Sequence, residues 1–514
     1  MKRTDSIAIS IAIAVIFLVS AFLILRSGHL HEDAYILFQY SKNLSTGKGI
    51  VFDQVSGPTE GATDFLWMAI LAVFNRLGID LGSAAAILNS LGAGVISWVI
   101  IKLRCRFDLI TLSGILLALV SGGTAAALGG FSTLAYGALF ALFALNVYEK
   151  NYFRIALLAL LLSLFRPDGL LLALGGVIIT LAYAEPEDKK RLTKQIAPIL
   201  IIGFCYFIWR YFYFGLILPL PLLVKVQIDQ PLEGLKPSFD ALKNYTPLFL
   251  PLVFLTINKS FRQVNWRAYL AVGFGPLLLL VALLFANQSQ NIGYRFQFPI
   301  ILSAIFIFLI SSRDSNKLKN FCLLLPLLGI LSGGQLIRWE VLYLTNNDYI
   351  NSFPQFLKRA DLNLKSLAVT EAGRFPFWYD ADQMIDLVGL NSAKVVKNGA
   401  TETLEEAQPD LIFVHHAGRY DTSRLDSNLP FLESNTDSIN LKSDYTGKNP
   451  VKLAPESALK YARAKGYSAI FVRYGESDKN FNHVYFLSPR VNKYKFLLAL
   501  NNSFKAHLTY YNSF

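Results

Sequence analysis

Cysteine is nearly absent from this chain, with three in 514 residues. Cys105, Cys205 and Cys322 all fall in or beside apolar segments, and the polar C-terminal part has none. That pattern excludes a disulfide-stapled scaffold and a cysteine metal site. Charge is also scarce, at 16% of residues. The net charge of +12 comes from short basic clusters between apolar runs and forms no stripe along one face, which argues against nucleic acid as partner. There is no G-x-S-x-G elbow, no phosphate-binding P-loop, no fixed-period repeat and no low-complexity tract. The adjacent His415 and His416 lie on a strand-like run, where neighbours point to opposite faces and are poorly placed to chelate one ion. Structural or surface roles are expected there, and for His29 near His31.

Apolar residues, in contrast, make up 53% of the chain, too many for a soluble enzyme of this length. Uncharged runs such as Ile7 to Leu25, Leu81 to Ile101 and Ala268 to Ala286 are each about 19 to 21 residues, enough to cross a hydrocarbon core as helices. No small-x-small cleavage pattern follows the first run, so it reads as an anchor.

Lys and Arg concentrate in cytoplasmic loops. Clusters at Lys2 and Arg3, Lys102 to Arg106, Lys150 and Arg154, Lys189 to Lys194, Lys259 to Arg267, and Arg313 to Lys319 therefore place the N-terminus in the cytoplasm. The run 63 to 77 is too short to cross and breaks the alternation, so it is laid on the outer surface as an interfacial helix anchored by Trp67. The run from Tyr152 to Tyr183 is too long for one crossing and must break at Arg166, Pro167, Asp168 and Gly169.

The expected fold class is a polytopic α-helical membrane protein of about eleven spans, near 7–26, 83–101, 108–127, 131–148, 152–165, 169–184, 195–217, 245–257, 268–286, 296–311 and 320–337. Residues 1–338 form the transmembrane domain, with an external loop at 27–82. Residues 339–514 form an extracytoplasmic α/β domain, read from the strand-like runs SLAVTEA, PDLIFVHH, YSAIFVRYG and HVYFLS and the helical PESALKYARAKG.

Directly after the first span stands the carboxylate pair Glu32 and Asp33, within EDAYILFQYSKNLSTGKGIVFDQVSGPTEGATDFLW. An isolated acidic residue there would be a solvated loop charge. The longer pattern resembles the first external loop of the glycosyltransferase C superfamily, closest to its bacterial and mycobacterial arabinofuranosyltransferase-like branch. The matching positions are Glu32, Asp33, Ala34, Tyr35, Tyr40, Asn43, Leu44, Gly47, Gly49, Val51, Phe52, Glu60, Gly61, Phe65, Leu66 and Trp67. The likeness continues in RPDGLLLALG at 166–175, YRFQFP at 294–299 and LAVTEAGRFPFWYDADQMIDLVGLN in the C-terminal part. Gln39, Ala62 and Asp64 depart from the Arg, aromatic and Asn usual in the family. LPLPLLVKV at 218–226 keeps Pro219 and Lys225 and little else.

The resemblance implies an inverting transfer of a sugar from a polyprenyl-phosphate donor to an envelope glycan, lipid or protein, at the outer side of a bacterial cytoplasmic membrane. One base suffices for a single displacement. Asp33 is the expected base, with Glu32 its near competitor. Glu32 would tune Asp33 by like-charge repulsion or share a divalent ion with it. No cofactor is otherwise required, and metal dependence stays open. The leaving phosphate calls for cations, and the external candidates are Arg166, Lys225 and Arg295. Tyr35, Tyr40, Glu60, Trp67 and Asp168 are the candidate substrate contacts, while Glu371 and Asp386 read as local hydrogen-bonding residues or acceptor contacts. A transporter of lipid-linked saccharide would instead need midplane carboxylates in paired repeats, and a non-catalytic assembly scaffold is a third reading.

Overall fold

The computed structural model describes residues 3–225, 234–244, 266–286, 288, 290–311, 324–346, 349–416, 431–434, 436, 450–473 and 482–511. The expected span 245–257 lies outside the described residues. The chain divides into two compact units. The first comprises Met1–Leu30, Thr63–Phe212 and Lys225–Thr345, and the second His31–Ala62, Tyr213–Val224 and Asn346–Phe514.

The first unit is helical. Among the described residues, five helices are long and apolar enough to cross a membrane: Thr4–Ser27, Leu81–Arg104, Pro186–Phe214, Trp266–Leu283 and the segment Ile292–Ile310. Leu109–Leu119 and Gly122–Leu128, bent by 50°, make a sixth crossing if counted together. The protein is a multi-pass membrane protein. Thr133–Tyr148, Tyr152–Phe165 and Gly169–Tyr183 have 16, 14 and 15 residues, each about 24 Å long or less and short of a straight crossing. Asp80 starts the helix Leu81–Arg104 by accepting from the Ser83 N–H at 2.9 Å, a cap that satisfies one of the orphan donors of the first turn.

The run from Tyr152 breaks at Arg166–Asp168, where Pro167 has no N–H to continue the ladder. The second half then packs tightly on Trp266–Leu283, because Gly175 and Gly275 face each other. A Cβ on Gly175 would lie 2.3 Å from the Gly275 Cα.

One expectation is corrected here. The helix Phe65–Arg76 exists, but Trp67 is no lipid anchor: it is 1% exposed, with its ring 6.1 Å from that of Phe165. An indole that finds an aromatic partner inside gains more from burial than from the interface. The helix Leu324–Thr345 closes the helical unit.

The second unit is built on a six-stranded sheet. Its strands are β1 (Ser366–Val369), β2 (Gln383–Asp386), β3 (Leu411–His416), β4 (Phe431–Ser434), β5 (Ser468–Arg473) and β6 (Asn482–Leu487), in the order β2-β1-β3-β6-β5-β4. β1 runs parallel to β2 and β3, and the remaining pairs are antiparallel. Alternation sorts the faces. Ile412, Val414, Phe471 and Phe486 pack with Ala454, Ala458 and Tyr461 of the helix Pro450–Ala464. Phe413 and Tyr485 stack on the other face at 5.0 Å, against Phe353, Phe375 and Phe496. His415 and His483 continue that second face, directly opposite each other across β3 and β6.

Candidate active site

The first loop folds onto this sheet. The helix Ala34–Ser45 begins at Asp33, whose side chain does not cap it. One face of the helix lies on the short helix Arg374–Tyr379. Tyr35 meets Phe377 at 5.2 Å, Lys42 pairs with Asp380 at 2.8 Å, and the Gln39 amide donates to Asp380 at 3.0 Å and to the Phe52 carbonyl at 3.3 Å. Gln39, a departure from the family pattern, thus has its own partners.

Several motif residues serve as a frame. Asn43 donates to the Val51 and Phe52 carbonyls at 2.9 and 3.0 Å. Asp386, at the end of β2, accepts from the Asn391 N–H and side-chain amide, both at 2.9 Å. Asn391 in turn accepts from the Tyr40 hydroxyl at 3.3 Å, and that hydroxyl accepts from the Gly61 N–H at 3.1 Å. Tyr40 is 0% exposed. Its hydroxyl joins Gly61 to Asn391, as a buried phenol must satisfy its oxygen internally. Glu60 is buried beside it.

Glu32 is fixed from the same side. Its Oε1 accepts from the N–H groups of Gly373 at 3.0 Å and Arg374 at 2.8 Å, and its Oε2 lies 3.8 Å from the Arg374 Nε. Arg374 also donates to Asn351 and sits 5.8 Å from the Tyr35 ring. Glu371 accepts from the His415 Nδ1 at 2.8 Å. Burial, aided by the Glu371 charge, pushes the Glu32 carboxyl from its ordinary 4.5 to about 7 against the pull of Arg374. Burial acts upward on Glu371 too, but His415, with smaller help from Arg374, holds it at about 2. The His415 imidazole is raised: burial works against its charge, and Glu371 more than compensates. Burial and the neighbouring His415 lower His483 to about 3. Glu371, His415 and Asp386 stand at the C-terminal ends of β1, β3 and β2, the edge where open α/β sheets place their ligand sites.

The first unit gathers the basic candidates. Arg166 grips Asp168 through two hydrogen bonds, Nε to Oδ1 and Nη2 to Oδ2, both at 3.0 Å, so Asp168 is engaged by protein. The Arg166 guanidinium stacks 4.8 Å from Tyr136 and 5.3 Å from Phe296. Arg295 lies 3.7 Å from the Phe131 ring and 5.1 Å from the same Phe296. Asp64, another departure, accepts from the Ser132 hydroxyl at 2.7 Å and faces Arg166 electrostatically.

Arg295 is presented by a tight turn in which Gly293 and Tyr294 both take left-handed conformations, φ 57° and 55°. The Asn291 side chain accepts from the Phe296 N–H at 3.1 Å and donates to Gln297 at 2.7 Å. A Cβ at Gly293 would fall 2.4 Å from the Gly122 carbonyl oxygen, so the turn needs glycine for both conformation and space. Arg166 and Arg295 are thus brought together around Phe296. Lys225 closes the helix Leu220–Lys225, but its side chain lies outside the described residues. No cluster of three or more His, Cys, Asp or Glu side chains among the described residues is arranged to hold a metal ion.

No protein-family model matches the sequence, and no characterised protein matches it by sequence. Solved structures do match. ArnT from Cupriavidus metallidurans bound to undecaprenyl phosphate superposes with a TM-score of 0.58 at 11% identity, over 96% of this chain and 100% of that one. The two chains share a fold. Apo ArnT from the same organism gives 0.58 at 12% identity, over 83% of this chain and 95% of that one. The mycobacterial arabinofuranosyltransferase AftD gives 0.50 at 14%, over 81% of this chain and 37% of that one. Sequence reasoning missed Arg374 and the coupling of Glu371 to His415. The available signal was register: with β1 and β3 parallel and Val369 level with Phe413, Glu371 falls beside His415.

Proposed function

We propose that this chain is an inverting glycosyltransferase that moves a sugar from a polyprenyl-phosphate donor to a cell-envelope glycan, lipid or protein at the outer side of the cytoplasmic membrane. The N-terminus is then cytoplasmic, and residues 339–514, with the first loop, are extracytoplasmic. The observation that carries the reading is the fixed Glu32, held by two backbone N–H groups next to an Asp33 that heads a helix without capping it. The fold supports it, since ArnT was solved with undecaprenyl phosphate.

In this reaction Asp33 takes the proton of the acceptor hydroxyl as its oxygen bonds to the anomeric carbon. The bond from that carbon to the phosphate oxygen breaks, and its electron pair leaves with the polyprenyl phosphate. Glu32 is the positioning carboxylate, because its Oε1 already accepts two backbone N–H groups and its Oε2 faces the Arg374 guanidinium. Arg295 and Arg166, with Lys225, neutralise the departing phosphate.

The test is transfer by purified protein in lipid nanodiscs from a panel of polyprenyl-phosphate sugars, with acceptors drawn from envelope extracts. Asp33→Asn should lower the rate about 10²- to 10⁴-fold, the range expected for losing a general base. Wild-type turnover by Asp33→Asn would remove the base assignment. Absence of transfer by wild type from every donor would favour transport or scaffolding.

A further inference from the structure

We propose that His415 and Glu371 are positioning residues for the Glu32–Asp33 pair: His415 engages Glu371 so that Arg374 stays committed to Glu32. This deepens the reading of Asp33 as base and rests on it.

The Arg374 guanidinium lies beside Glu32 and acts electrostatically on Glu371 as well. Glu32 comes from the first loop and Glu371 from the turn after β1, and the charge of Arg374 acts on both. Arg374 lies 3.8 Å from Glu32 and already spends one amino group on Asn351. A half-buried Glu371 left without a partner would draw Arg374 toward itself, since an unpaired carboxylate shielded from water is unfavourable. His415 prevents this by contacting Glu371 at 2.8 Å.

The groups acting on one another here are Glu32, Asp33, Glu371, Arg374, His415 and His483. His483, edge-on to His415 at 5.2 Å, is kept neutral by burial and by the neighbouring imidazolium, so it packs without adding charge. Glu32 and Glu371 are thus balanced by Arg374 and His415. Deprotonating or replacing His415 releases Glu371 to compete for Arg374, which loosens Glu32 and the start of the helix bearing Asp33. The carboxylate pair would then lose its orientation although neither residue had changed.

The experiment compares full-length wild type, His415→Gln, Glu371→Gln and the double variant in nanodiscs. Two readouts are used: sugar transfer from the donor that wild type accepts, and hydrogen–deuterium exchange of peptides covering residues 31–46. His415→Gln should lower kcat about tenfold or more and raise exchange in those peptides, while Glu371→Gln costs less. The double variant should recover to within about threefold of Glu371→Gln, because removing both members leaves no competing charge. A purely structural pair predicts similar losses in both single variants and no recovery in the double, and that outcome overturns the proposal. So does a His415→Gln variant unchanged in both readouts. Should wild type transfer no sugar, the functional reading fails by itself, and the exchange pattern still decides whether His415 holds the loop.

Discussion

The N–H of Arg374 donates to the Glu32 carboxylate at 2.8 Å although 342 positions separate them. The first loop is therefore defined by the last third of the chain, and its chemistry depends on residues that no local motif contains. Three consequences can be measured.

Burial raises the Glu32 carboxyl from 4.5 to about 7, so folding favours its protonated form. The associated stability is fully present below pH 4.5 and is lost as the pH rises through about 7. Glu32→Gln removes that dependence. The stability of wild type relative to Glu32→Gln should fall between pH 4.5 and 7, by on the order of 2 kcal/mol once solvent screening is allowed for. Thermal unfolding of both proteins across this window checks it, and parallel profiles would contradict the assignment.

Arg166 and Arg295 share Phe296 but differ in what they hold. Arg166→Ala strands the Asp168 carboxylate and should cost about 3 kcal/mol of stability. Arg166→Ala/Asp168→Asn should regain that stability without regaining transfer. Arg295→Ala should fold normally yet lose about 10²-fold in kcat and raise the donor KM, as expected for a cation opposite a leaving phosphate. Kinetics at varied donor concentration, read beside melting curves, separate the two. An Arg295→Ala enzyme of wild-type rate would remove Arg295 from the phosphate site.

Gly293 is tested by Gly293→Ala. A left-handed φ of 57° and a carbonyl oxygen 2.4 Å from the new Cβ should together cost about 1–3 kcal/mol. The displaced turn carries Arg295 with it, so transfer should fall further than stability alone explains. A stable, fully active variant would show that the turn adjusts without moving the guanidinium.

Much of this architecture was legible in the residues, and the reasons are local. The break at Arg166–Asp168 follows from a missing N–H at Pro167 in a run too long to cross. The strands SLAV, LIFVHH, SAIFVR and NHVYFL announce themselves by β-branched and aromatic content. The short β2, QMID, and β4, FLES, do not, because four residues carry too little periodicity and their place is set by partners. By sequence Trp67 reads as an interfacial anchor and Tyr40 as a substrate contact. Their burial comes from Phe165, Asn391 and Gly61, which lie far along the chain or beyond the turn. The Glu371–His415 pair was equally hidden, since only strand register brings the end of β3 beside the turn after β1.

Because residues 31–62 complete a unit whose remaining pieces follow position 212, a ribosome releases the first loop long before its partners exist. Closing a ring of that length is slow and cannot begin until translation is nearly finished. The carboxylates would stay unassembled throughout insertion, so a chain truncated before Arg374 should occupy the bilayer as an inert precursor.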